Sequence, residues 1–65
     1  MKISYDREVD ILRIVFADSL VDESDEAKPG VILDFDVNGN IVAMEILDAS
    51  QRTEDPNKVE FAVAA

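Results

Sequence analysis

From Val31 to Leu47 the chain reads VILDFDVNGNIVAMEIL, apolar and polar residues alternating on both sides of Asn38-Gly39. Period-two alternation around an Asn-Gly pair predicts a β-hairpin, because both residues accept the positive φ that a type I′ turn needs. A two-residue turn there sets Val37 opposite Asn40, Phe35 opposite Val42, Leu33 opposite Met44 and Val31 opposite Ile46. These residues, Asn40 apart, make one apolar face. Ile32, Asp34 and Asp36 fall beside Glu45, Ala43 and Ile41 on the other face, which is mixed and acidic.

Upstream, Lys2 to Tyr5 and Asp10 to Ala17 read as two strands around the polar turn Asp6-Arg7-Glu8. The second run, DILRIVFA, is rich in β-branched and aromatic residues, which suit a pleated and half-buried surface. Leu12, Ile14 and Phe16 share one side; Ile11, Arg13 and Val15 share the other, so this strand is central and covered in part on both sides. Asp18 to Glu26, DSLVDESDE, carries five acids and no base and reads as a solvated connection or a charged edge strand. Pro29-Gly30 marks the entrance to the hairpin, since proline cannot donate a ladder hydrogen bond.

Beyond Leu47, DASQRTEDPNK predicts one or two helical turns before Pro56, with Asp48 or Ser50 as N-cap. Lys58 to Val63 returns to alternation, with Val59, Phe61 and Val63 aligned, and predicts a final strand. The fold class that follows is mainly β, on the border of α+β: one domain over residues 1–65, a small antiparallel sheet of about five strands with hairpins and one short helix after Leu47. Leu12, Ile14, Phe16, Leu33, Phe35, Val37, Val42, Met44 and Ile46 are its expected core face. Ile11, Val15, Ile32, Ile41 and Ala43 make the opposite face more aliphatic than free solvation favours, so a homodimer or a protein partner is expected to cover it.

Charge narrows the function. Fifteen Asp and Glu face only Lys2, Arg7, Arg13, Lys28, Arg52 and Lys58, a net charge of −9. Nucleic-acid binding needs clustered cations to neutralise phosphate, and these six are scattered. An anionic membrane surface is disfavoured for the same reason, and no apolar run approaches the ~20 residues that span a bilayer. The default location is cytoplasmic. A basic protein fits the acidic surface.

With no cysteine and no histidine, thiol chemistry, thiolate metal sites and the usual base near neutral pH are all missing. Ser4, Ser19, Ser24, Ser50, Thr53 and Tyr5 have no imidazole to activate them, and Asp34 and Asp36 on one strand look outward together instead of across a cleft. No catalytic residue and no cofactor is expected. One metal pattern does stand out: Asp34, Asp36, Asn38, Gly39 and Glu45 spell D-x-[DN]-x-[DN]-G-x5-E, the EF-hand calcium loop. That loop requires helices on both flanks, and here the flanks read as strands. A looser divalent-cation site from Asp34, Asp36, Asn38 and Glu45 is the alternative, weighed against an ordinary solvated acidic face.

Together, MKISYDREVDILRIVF and PGVILDFDVNGNIVAMEILDAS resemble the small bacterial and archaeal proteins grouped as domain of unknown function 2283 (DUF2283), over about residues 1 to 52. The resemblance lies in K-I-S-Y-D, D-I-L-x-I, P-G-V-I-L-D-F-D and E-I-L-D-A-S, and Arg13 departs from the aromatic residue such proteins often carry there. It implies a compact, mostly-β domain with no assigned activity. Through relatives encoded beside genes resembling ribonuclease-type toxins, it also implies an antitoxin-like role. No catalytic or binding residue transfers with it.

Overall fold

The computed structural model describes residues 1–65 and contains five strands and one short helix: β1 (Lys2–Asp6), β2 (Ile11–Val15), β3 (Glu23–Lys28), β4 (Val31–Phe35), β5 (Ile41–Leu47) and α1 (Ala49–Arg52). All strand pairs are antiparallel, in one sheet of order β1-β2-β5-β4-β3. β5, the longest strand, lies at the centre. The fold class is therefore the one expected, built with one different strand.

That strand is β3. Glu23–Lys28, ESDEAK, is exposed along its whole length yet pairs with β4, and it owes its place to the turn. Pro29 and Gly30 form a two-residue connection in which Gly30 takes a φ of +79°, as the third residue of a type II turn after proline requires. The turn folds β3 back on β4, and its acids keep the outer edge unattractive to other strands. The C-terminal segment makes no strand. Val59, Phe61 and Val63 remain 56%, 79% and 81% exposed, because alternation provides a face but no ladder partner.

The register of the central hairpin is as expected from Val31↔Ile46 to Asp34↔Ala43 and then slips: Phe35 pairs with Ile41, not Val42. Asp36 causes the slip. Its Oδ1 accepts hydrogen bonds from the Asn38 and Asn40 amides, both at 2.9 Å, and its carbonyl accepts the Gly39 N–H at 3.0 Å. The result is a three-residue connection, with Gly39 at φ +82°, in place of a two-residue type I′ turn. Val42 is left as the bulged residue. Its carbonyl accepts from both Phe16 and Ala17, at 2.7 and 3.2 Å, which ends β2 at Val15.

The register sorts side chains onto two faces. Ile3, Tyr5, Leu12, Ile14, Val31, Leu33, Met44 and Ile46 share the Leu12 face; Ser4, Ile11, Arg13, Val15, Ile32, Asp34, Ala43, Glu45 and Leu47 share the Arg13 face. Only Leu12, Val42, Ala43 and Ala49 are buried. Of the expected core, Phe16 and Val37 are exposed and the rest, Leu12 and Val42 apart, are half-buried. The principal extents of 34, 32 and 18 Å describe why: a single sheet is a slab one layer thick, with no second layer to close over it.

Candidate functional site

Three polar constellations hang on this sheet. The first joins the β1–β2 turn to α1. Asp10, at φ 57°, accepts the Tyr5 hydroxyl on Oδ1 at 2.6 Å, the Ser50 amide on Oδ1 at 2.9 Å and the Ser50 hydroxyl on Oδ2 at 2.7 Å. Its carbonyl also accepts the Ala49 N–H at 3.0 Å. Sequence reasoning places the helix cap at Asp48 or Ser50. Asp48 occupies the N-cap position in a left-handed conformation and makes no side-chain cap bond, and the residue that does the capping is 40 positions upstream. Spacing alone could not find it, since the pair is brought together only by β2 lying beside β5.

Donation from Tyr5 first, then Ser50, holds the Asp10 carboxyl below its ordinary value, while the same bond raises the Tyr5 hydroxyl above its own. Such a carboxylate is a poor general base. The Ser50 hydroxyl donates to it, so the trio works as a latch instead of as a nucleophile with its activator.

A second constellation occupies the Arg13 face. Arg13 on β2 bonds Glu45 on β5 and reaches across that strand to Asp34 on β4, at 3.9 Å; Ser24 on edge strand β3 donates to the other Asp34 oxygen at 2.6 Å. Ala43, opposite Asp34 on the crossed strand, is fully buried. Of the four residues of the looser cation site, Asp34 and Glu45 are thus brought together, with a guanidinium between them. Asp36 and Asn38 lie apart in the hairpin turn, where one Asp36 oxygen is engaged by backbone amides. Strands, not helices, flank the loop, and no three Asp or Glu carboxylates converge in a cluster able to hold a metal ion.

The third constellation is a shallow open hollow at the β3–β4 end, floored by Phe35 and Val37 and ringed by Asp22, Glu23, Asp25 and Asp36. Its acids come from the stretch that composition marks as a solvated connection or a charged edge strand and from the hairpin turn. They meet because the Asp22 amide bonds the Phe35 carbonyl at 2.8 Å and Glu23 pairs with Phe35.

No helix is long and apolar enough to cross a membrane. Neither the curated proteins nor the solved structures include a match to this chain. The family model for proteins of unknown function, DUF2283, matches residues 2–50, a span that holds all five strands, the whole latch and the Arg13 cluster and leaves out Met1 and residues 51–65, the second half of α1 among them. The chain belongs to that family.

Proposed function

We propose that the chain is a non-enzymatic protein-interaction module that works as a homodimer and takes a basic protein on the acidic hollow at its β3–β4 end, in an antitoxin-like role. The observation that carries this reading is that only four of 65 residues are buried. Half-buried aliphatic side chains on both faces of one sheet expose more contiguous apolar surface than a free monomer favours. The hollow supplies the partner's chemistry: Phe35 and Val37 offer apolar contact, and Asp22, Glu23, Asp25 and Asp36 draw a cation. With a net charge of −9, association with a basic protein is fast and weakens as salt rises.

Affinity capture from the native host, with mass spectrometry of what co-purifies, tests the reading when wild type is run beside the Glu23→Gln/Asp25→Asn variant. A basic protein held by wild type, released by salt and lost with the variant is the expected outcome. Capture of nothing, or capture indifferent to both salt and the variant, overturns it. A divalent-cation site at Asp34, Asp36, Asn38 and Glu45 is the weaker reading, because Arg13 already neutralises two of its four ligands.

A further inference from the structure

We propose that the outer edge of β1 pairs with the same edge of a second copy, antiparallel about a two-fold axis at Ser4, joining two five-stranded sheets into one continuous sheet; this rests on the dimer reading above and names its interface. The strand order β1-β2-β5-β4-β3 leaves two edges, and they differ in what guards them. β3 carries Glu23, Asp25 and Glu26 against Lys28 alone, a net of −2, and its ladder is bulged between Glu26 and Lys28. β1 carries Lys2 and Asp6, which cancel, and pairs with β2 without a shift. A regular edge with no excess charge, proline or bulge is a template for another strand.

The ladder fixes which backbone groups that edge offers. Phe16, one residue past β2, bonds the Val42 carbonyl through its N–H at 2.7 Å. Bonding direction alternates along an antiparallel strand, so Ile11, Arg13 and Val15 turn their N–H and C=O to β1. Their partners Asp6, Ser4 and Lys2 are thereby engaged, and Ile3 and Tyr5 direct N–H and C=O outward. No backbone bond outside the strand ladders reaches residues 2–6, from the C-terminal segment or elsewhere.

The edge sequence, KISYD, is its own complement, as a two-fold interface requires. With Ser4 opposite Ser4 of the second copy, Lys2 falls opposite Asp6 and Ile3 opposite Tyr5. The Ile3 and Tyr5 pairs are the ones that exchange backbone bonds, and they set a β-branched side chain beside an aromatic one, a favoured cross-strand pair. Neighbouring two-fold registers, centred on Ile3 or Tyr5, take Lys2 off Asp6. The chain's net charge of −9 favours the same edge, because joining at β1 puts both β3 edges and their acidic hollows at opposite ends of the joint sheet. Strand spacing then separates the two β3 strands by about 40 Å, several Debye lengths at physiological salt. Each hollow stays open to a basic partner.

Sedimentation of wild type, Lys2→Glu and Asp6→Lys tests the edge through charge. Each variant alone sets like charges against each other and should associate about tenfold more weakly than wild type, as two exposed ion pairs turned repulsive imply. Asp6→Lys is the sharper of the two, since it lowers the net charge and would strengthen an interface opposed by charge alone. An equimolar mixture of the two folded variants should recover wild-type association, because each restores the other's pairs. Amide exchange on wild type needs no variant: Ile3 and Tyr5 amides should slow as protein concentration rises through the dimerisation range, while no amide of β3 responds. A wild type that stays monomeric overturns the dimer reading and this edge with it. A dimer that Asp6→Lys does not weaken, that the mixture does not recover, or whose Ile3 and Tyr5 exchange ignores concentration overturns the edge assignment alone. Concentration-independent protection of Ile3 and Tyr5 together with Val59 and Phe61 overturns it too, by showing the edge filled by the chain's own C-terminal segment.

Discussion

Asp10 caps a helix that begins 39 residues after it: its two carboxylate oxygens take the amide and the hydroxyl of Ser50. The bond ties the first hairpin to the end of the central strand. It thereby fixes the start of α1, whose own N-cap residue Asp48 makes no side-chain cap bond, and a four-residue helix has little stability apart from such a tertiary anchor.

Removing the anchor should loosen that whole corner. Asp10→Ala lowers Tm by roughly 5 °C, by the usual effect of losing a helix cap in a small domain. Ser50→Ala, which keeps the amide donor, lowers it less. Amide exchange at Ala49, Ser50 and Gln51 should quicken in both variants while that of Met44 does not; uniform quickening across β5 would mean the latch holds the sheet and not the helix.

The latch also sets two arms of the pH profile. The folded state holds the Asp10 carboxyl below its ordinary 3.8, chiefly through Tyr5 and then Ser50, so its contribution is present above that value and lost as pH falls through the lower folded one. The Tyr5 hydroxyl is held above its ordinary 10.0, so its contribution is present below pH 10.0 and lost as pH rises beyond. In denaturant melts, Asp10→Asn should flatten the acid limb and Tyr5→Phe the alkaline limb. An unchanged alkaline limb in Tyr5→Phe refutes the bond.

Two glycines isolate backbone strain. Gly39 stands at φ +82° with nothing within 4 Å of where a Cβ would go, so Gly39→Ala costs about 1 kcal/mol from the left-handed conformation alone. Gly39→Asn costs less, since asparagine tolerates that region. Gly30, at φ +79°, would also press a Cβ to 3.3 Å from the Arg52 guanidinium. Gly30→Ala in an Arg52→Ala background should recover part of its loss, whereas Gly39→Ala should not. Urea titration of the three single variants, of Arg52→Ala alone, and of Gly30→Ala and Gly39→Ala in that background reads both differences.

Local patterning made most of the sheet legible. β1, β2, β4 and β5 fall where alternation and β-branched residues place them, and the hairpin register holds from Val31 to Asp34. What escaped depends on partners distant in sequence or on side chains binding backbone. Asp36 captures two amides and shifts Phe35 onto Ile41, a competition that an Asn-Gly pair does not announce. ESDEAK, for which composition leaves connection and edge strand both open, pairs because a Pro-Gly turn delivers it to β4, while the better-patterned KVEFAV has no such turn and pairs with neither edge strand, β1 or β3. At the site, the carboxylates of the calcium pattern were visible in the sequence. The guanidinium that sits between two of them was not, because Arg13 and Glu45 are 32 residues apart.

That guanidinium makes the cation question answerable. In wild type, Arg13 bonds Glu45 and lies 3.9 Å from Asp34, and a calcium ion there would have to displace it against like charge. Amide shifts of residues 34–45 should therefore show no saturable change on calcium titration. Arg13→Ala leaves the two carboxylates on one face without their counter-ion and raises their mutual repulsion, so the variant should be less stable and should regain stability with added divalent cation more than with equal ionic strength of sodium chloride. Asp36, engaged in the turn, should not shift in either protein. Saturable wild-type shifts that include Asp36 would mean the turn opens to bind metal, and Asp34, Asp36, Asn38 and Glu45 would then be a cation site that Arg13 merely guards.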